Sequence, residues 1–393
     1  MAASSPEPHT APSSPTILSA QGRAGQGVRP LEERDLERVA EIFLKTFRRG
    51  QATRKGEANR ALIDYMRGLY LSGPAFAPGG GSLVHVDAGG TVTGFLGGLQ
   101  SSFHLDGERL TARALSAYMV DEAANDPIAG VALMRAYFKG PHDFYFSDTA
   151  NPLSFGIARL FGCEVMTAHS LEWVRIFRPA GLALRKAASR WPLLPAALFR
   201  PPVLLADRIA RRLMPKSPAK LAPADPVDAA VSREEMVTLL PKFAARYRLR
   251  PAWPREELTW YLEQAAMKRG NGPLQYRVVR EESGADIGCY LFYGETDGVV
   301  QVVQILAGEG RLGTVVTSLM RTVEAMGCVA VRGQASPELL KELYADPAIF
   351  YHCVGAAMLR SRRADVLAAM REEAMLTGGL FGDRWTRLAS DRF

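Results

Sequence analysis

Between Leu110 and Cys163 the order of apolar and polar residues constrains this chain more than its composition does. The run Ala114–Val120 is almost wholly apolar and reads as a buried strand. Asp121–Asp126 follows, then the small-residue stretch Pro127-Ile-Ala-Gly-Val-Ala132, which opens an apolar helix reaching Met134. Asp143–Asn151 reads as a second strand and Pro152–Cys163 as a second helix. A buried strand that feeds a small-residue helix start leaves the first N–H groups of that helix without intrahelical partners, free to meet an anion. Strand, loop, helix, strand, helix in this order is the pattern of an α/β protein with a mixed sheet.

The elements around this stretch extend the pattern. Val28–Leu31 reads as a short strand. Leu36, Val39, Phe43 and Phe47, with Ala40 and Leu44, recur at helical spacing and predict an amphipathic helix over Glu33–Arg48. A second helix is expected at Ala58–Leu71. Ser82–Asp87 and Thr91–Leu99, joined through Ala88-Gly-Gly90, read as a hairpin with a glycine turn. Further strands are expected near Glu164–Met166 and Leu171–Phe177.

The chain has 393 residues, too many for one ordinary α/β domain and suited to two. No run reaches the ~18 uninterrupted apolar residues of a membrane span. Residues 1–26 are rich in Ala, Ser and Pro without a basic start and apolar core, so they read as a disordered tail rather than a secretory signal. Cys163, Cys289, Cys328 and Cys353 lie singly among apolar neighbours, and the six histidines are dispersed. Buried free thiols in a reducing cytoplasm are expected, and no metal site.

The formal net charge of +7 is local. Gly181–Lys216 holds eight basic residues (Arg185, Lys186, Arg190, Arg200, Arg208, Arg211, Arg212 and Lys216) and one acid, Asp207, so this segment carries the whole excess. A general basic surface for nucleic acid is therefore not expected. Pro192, Pro195, Pro201, Pro202 and Pro215 are expected to break the segment into short helices. Leu204, Leu205, Arg208, Ile209, Arg212 and Leu213 would set apolar and cationic strips side by side on one helix. Two readings stay open: a connector packed on both halves, with Arg stems covering apolar surface, or a peripheral contact with an anionic membrane through 181–216.

Leu110–Cys163 resembles the acyl-CoA-binding core of the GCN5-related N-acetyltransferase (GNAT) superfamily. In that family the fourth and fifth strands splay, the pantetheine arm lies between them, and a glycine-rich loop meets the pyrophosphate. The resemblance implies that Tyr118, Met119 and Val120 offer backbone groups to the pantetheine, and that Ile128, Gly130, Val131 and Ala132 form the pyrophosphate loop. Small side chains at Gly130 and Ala132 suit a close approach of backbone to phosphate. Asn151, Ser154 and Gly162 match the second family cue, Asn151 implying a further bond to pantetheine. Two positions depart from the pattern. Pro127 replaces the usual Arg or Gln and has no N–H, and Ala158 stands where the family carries the tyrosine that reprotonates the leaving thiolate. No catalytic residue is assigned.

Ser232–Phe393 repeats the element order, with helices at Glu234–Arg246 and Pro254–Lys268 and strands at Gln275–Arg280, Asp286–Tyr293 and Val299–Leu306. A helix at Leu312–Met326, a strand at Val329–Arg332 and a helix at Pro337–Tyr344 complete it. The expectation is two GNAT-like domains in tandem: 27–180, a basic Pro-rich linker over 181–226, and a diverged domain over 227–393. An unrelated α/β partner domain is the alternative. The function implied is acyl transfer from acetyl-CoA or another acyl-CoA to a small-molecule or lipid-linked amine or hydroxyl. The alternative is a non-catalytic acyl-CoA-binding or scaffold protein of the same descent.

Overall fold

Leu36, Val39, Ala40, Ile42 and Phe43 are buried together, so Leu36–Phe47 is held helical by one packed face rather than by propensity. The computed structural model describes residues 27–48, 55–74, 76, 81–191, 196–213, 226–344, 346–376, 378–389 and 391. The expected tail 1–26 and the linker positions 192–195 and 214–225 lie outside the described residues.

The first half runs β1 (Gly27–Pro30), α1 (Leu36–Phe47), α2 (Lys55–Arg67), β2 (Leu83–Val86), β3 (Val92–Leu105) and β4 (Glu108–Val120). It continues with α3 (Ala129–Tyr137), β5 (Phe144–Ala150), α4 (Pro152–Leu160), β6 (Glu164–Val165) and β7 (Leu171–Ile176). Helices α5 (Pro179–Arg190) and α6 (Ala196–Leu213) connect it to the second half. There follow β8 (Val227–Ala230), α7 (Arg233–Ala244), β9 (Leu249–Pro251), α8 (Arg255–Ala266), β10 (Leu274–Arg280), β11 (Asp286–Tyr293) and β12 (Val299–Ala307). The chain closes with α9 (Leu312–Ala325), β13 (Ala330–Gln334), α10 (Pro337–Leu343), β14 (Ile349–Cys353), β15 (Ala356–Ser361) and α11 (Ala364–Arg371).

The two halves repeat one order of elements, but they do not keep their strands to themselves. The first sheet is ordered β1-β2-β3-β4-β5-β15-β6, with β9 added at the end of β3, and the second β14-β7-β13-β12-β11-β10-β8. Strand β7 of the first half is inserted between β13 and β14 of the second, antiparallel to both. Strand β15 returns the exchange, lying between β5 and β6 of the first half. One buried cluster correspondingly runs through both halves, from Val39, Phe43, Phe95 and Phe103 to Met236, Leu240, Trp253 and Leu258. A second, beneath α9, packs Val315, Leu319 and Val323 on Tyr290 and Phe292 and includes Trp173 of β7.

The connector corrects one expectation. Pro201 and Pro202 sit inside α6 and do not break it; the helix runs 18 residues through them. Asp207, the segment's single acid, is buried and ties α6 to α5, accepting the Ala180 and Gly181 N–H groups at 2.8 and 3.0 Å. It therefore satisfies the open N-terminal donors of α5.

Candidate functional site: a cleft and a cavity that share Thr149

The parallel ladder between β4 and β5 is short. Ala112, Arg113 and Ala114 pair with Phe144, Tyr145 and Phe146, and no pair follows although both strands continue. Beyond it β4 keeps to β3, whereas β5 keeps to β15. The divergence is fixed on β4 by a bulge: Phe95 pairs with Met119 but Gly97 with Ser116, so Ala117 and Tyr118 together oppose Leu96. Ala117 adopts a left-handed φ of 47°, unusual for a residue with a Cβ. Between the splayed strands lies a cleft of about 200 Å³, lined by Leu115, Ala117 and Tyr118 on one side and Ser147, Thr149, Asn151 and Ser154 on the other.

Of the residues singled out in the sequence, Tyr118 and Asn151 line this cleft. Asn151 caps α4, its Oδ1 accepting from Ser154 N at 2.8 Å and Ser154 Oγ at 3.0 Å. Met119 and Val120 continue the ladder with Phe95 and Gly94, and the Met119 side chain is in the core. Ala158 is fully buried on the inner face of α4 and contributes no polar group.

Ile128, Gly130, Val131 and Ala132 form the start of α3, but that start is already occupied by protein. Asp126 Oδ1 accepts the N–H groups of Ile128 and Ala129 at 3.1 and 3.2 Å. Tyr118 closes over Gly130: a Cβ there would stand 2.3 Å from the phenol oxygen. Burial pushes the Tyr118 phenol up to about 12, so it stays protonated. The cleft thus has the form of a channel for a narrow chain, whereas the α3 terminus carries its own carboxylate where a pyrophosphate would lie.

A second cavity of about 280 Å³ is lined by residues of both sheets and is adjacent to the cleft; Thr149 and Ala389 line both. Residues 378–389 and 391 contact both sheets here. Asp383 N donates to Asp148 Oδ1 at 3.0 Å, and Thr149 Oγ1 donates to Asp383 Oδ1 at 2.7 Å. Asp148 and Asp383 are both buried, and Asp148 Oδ2 has no hydrogen-bond partner. Burial, then the charge of Asp148, pushes the Asp383 carboxyl up to about 7. Gly382 allows this approach, since a Cβ at 382 would lie 2.0 Å from Asp148 Oδ2. The segment is pinned on both sides: Arg48 donates to the Asp391 and Leu388 carbonyls, Lys268 to the Arg384 carbonyl, and Trp385 packs on Tyr261.

The second cavity has a cationic lining. Lys268, Arg332 and Arg384 face it with a single carboxylate, Glu172, whose oxygens lie 3.7 Å from Arg332, 3.6 Å from Arg384 and 3.5 Å from His352. Arg332 Nε is buried without a hydrogen-bond partner. Burial, reinforced by Arg332 and Arg384 against the pull of Asp391 and Asp383, brings the Lys268 ammonium down to about 8. Nothing in the sequence points to this group, because Glu172, Lys268, Arg332 and Arg384 come from four distant stretches and none stands in a motif.

No protein-family model and no curated protein matches the sequence. Solved structures do. A GCN5-related N-acetyltransferase from Anabaena variabilis superposes with a TM-score of 0.56 at 10% identity, over 87% of this chain and 74% of the other. One from Kribbella flavida gives 0.52 at 14% identity, over 86% of this chain and 71% of the other. A conserved protein of unknown function from Enterococcus faecalis gives 0.54 at 10% identity, over 86% and 72%. At such identities the likeness speaks of architecture alone. The chain has the fold of the GCN5-related N-acetyltransferases.

Proposed function

We propose that the protein is an acyltransferase that moves an acyl group from a thioester donor, such as an acyl-CoA, to a small amine bearing an oxyanion. One observation carries the reading: the channel between β4 and β5 and a separate cationic cavity share Thr149 as a wall, and Thr149 holds the Asp383 carboxyl on the channel side. A donor arm and an acceptor entering from opposite sides would meet there, which is what transfer by positioning requires.

The donor supplies an activated carbonyl carbon. Asp383 is the group placed to take a proton from the acceptor nitrogen as the N–C bond forms and the C–S bond breaks. Its carboxyl, raised to about 7, is matched to that transfer at neutral pH. Thr149 fixes its orientation through the 2.7 Å hydrogen bond. Arg332 and Lys268 offer an acceptor oxyanion the partner that neither has in full.

A second reading, binding without turnover, is favoured by the capped α3 terminus and by the apolar Ala158. Free thiol released from acetyl-CoA separates the two. Phosphoethanolamine and β-alanine are expected to stimulate release, and ethanolamine and putrescine to do so at least tenfold less. Equal release with all four would remove the oxyanion preference and leave transferase activity standing. No release with any amine, alongside a thermal shift on adding acetyl-CoA, would establish the binding protein.

A further inference from the structure

We infer that the α5–α6 hairpin is a membrane-surface element that lays α6 on an anionic lipid bilayer. The large apolar side chains of this hairpin are turned outward. Trp191 is 63% exposed, Phe199 45%, Leu205 56% and Ile209 50%. At 100° per residue, Phe199, Pro202, Leu205, Ala206 and Ile209 fall within one arc of about 120° on α6. Val203 and Asp207, on the opposite side, are the positions turned toward the protein: they border the cavity shared with Gly181, Leu184 and Ala188 of α5. The helix therefore faces its own protein through Val203, Leu204 and Asp207, Leu204 itself half-exposed, and leaves its apolar arc uncovered.

The charge of the segment identifies what covers it. Arg208 is exposed on the arc adjoining the apolar one, and Arg200, Arg211 and Arg212 belong to the same helix. Gly181–Lys216 carries the entire +7 of the chain. An apolar arc bordered by an exposed cation, Arg208, on a segment that carries the chain's excess positive charge is what an interfacial helix presents to anionic headgroups. A protein partner would need a surface both acidic and apolar, whereas an anionic bilayer supplies the two together. No helix among the described residues is long and apolar enough to cross a membrane, so α6 lies on the surface rather than through it. Asp207 keeps α6 locked to α5 at two backbone donors, so the arc is presented as part of the folded protein.

The test is flotation of the full chain with vesicles of phosphatidylcholine alone or with 30 mol% phosphatidylglycerol (about that fraction serves to give a strongly negative surface). Binding to the anionic vesicles at low salt is expected, weakening as salt rises. Replacing Arg208, Arg211 and Arg212 by Ser should weaken it about a hundredfold, about fivefold for each charge removed. Leu205→Ser with Ile209→Ser should abolish the salt-resistant remainder while leaving thermal stability unchanged, because both side chains are exposed. Equal binding to neutral vesicles, or none to anionic ones, overturns the inference. So does a dimer in solution that the Leu205→Ser, Ile209→Ser variant dissolves, since the arc would then be covered by a second copy.

Discussion

At the scale of single residues the site turns on Asp383 and the glycine before it. Asp383→Asn keeps the Thr149 contact but removes the proton acceptor, and is expected to lower kcat by 10²- to 10⁴-fold with little change in KM. The wild-type rate should rise with pH through a limb near 7, where the carboxyl ionises, and the variant should lack that limb. Stability carries the opposite sign. The folded state holds the Asp383 proton more tightly than the unfolded chain, so its contribution is complete below about pH 4 and is lost as pH rises through about 7. Urea titrations across that range should show the decline in the wild type and a flatter profile in the variant. Gly382→Ala tests the close approach directly: the added methyl meets a buried carboxylate oxygen, and a loss of about 1–3 kcal/mol in urea unfolding is expected, with activity falling as Asp383 is displaced. The sequence exposed only part of this. Asp148 and Thr149 stand at a strand end and could be singled out, but Asp383 lies 235 positions from Asp148 in a stretch with no motif. Nothing local to a Gly-Asp-Arg tripeptide says that its carboxyl will be buried against another.

At the scale of elements the sequence was most legible where one element decides its own form. The helical spacing of Leu36, Val39 and Phe43, the glycine turn at Ala88–Gly90 and the long apolar run before Val120 all correspond to elements of the fold. Pro201 and Pro202 were read by their usual effect, yet α6 continues through them, anchored by Asp207 to α5. The start of α3 shows a subtler limit. Pro127, Gly130 and Ala132 could be compared with a phosphate loop residue by residue, but which group fills the helix terminus depends on the Asp126 side chain, two positions from the N–H it accepts. That cap yields a prediction with two opposed signs. Asp126→Ala frees the Ile128 and Ala129 N–H groups and removes a negative charge from the start of α3. Stability should fall by about 1 kcal/mol, the ordinary cost of losing a cap. The KM for acetyl-CoA should fall severalfold, whereas that for acetyl-pantetheine, which has no pyrophosphate, should not move. In the wild type the two donors should differ little. A wild-type KM for acetyl-CoA far below that for acetyl-pantetheine would show that the nucleotide is gripped elsewhere.

At the scale of the whole molecule the governing fact is the exchange of β7 and β15. A repeat of element order can be read along a chain, but which sheet a strand joins is set by partners far away in sequence. Leu171–Ile176 alternates no differently for pairing with Ala330–Gln334 than it would for pairing with β5. The exchange makes each half incomplete: without β15 the first sheet loses the strand joining β5 to β6, and without β7 the second loses the strand joining β13 to β14. The buried cluster that runs from Phe103 to Trp253 adds an apolar bond of the same kind, and β9 seals it by pairing Phe103 with Pro251. It follows that the halves act as one folding unit, although the connector between them is long. A protease site engineered between α5 and α6 should give two fragments that co-elute on gel filtration and melt in a single transition close to that of the uncut chain. Either fragment expressed alone should be insoluble or lack a cooperative melt, since each would expose an open sheet edge and half a core. Fragments that separate in buffer and each melt cooperatively would mean that the exchanged strands contribute little to holding the halves together. The same interlock places Thr149, from one sheet, opposite Glu172 and Arg332, from the other, so loss of association on cutting should be accompanied by loss of the cavity and of any acyl transfer through it.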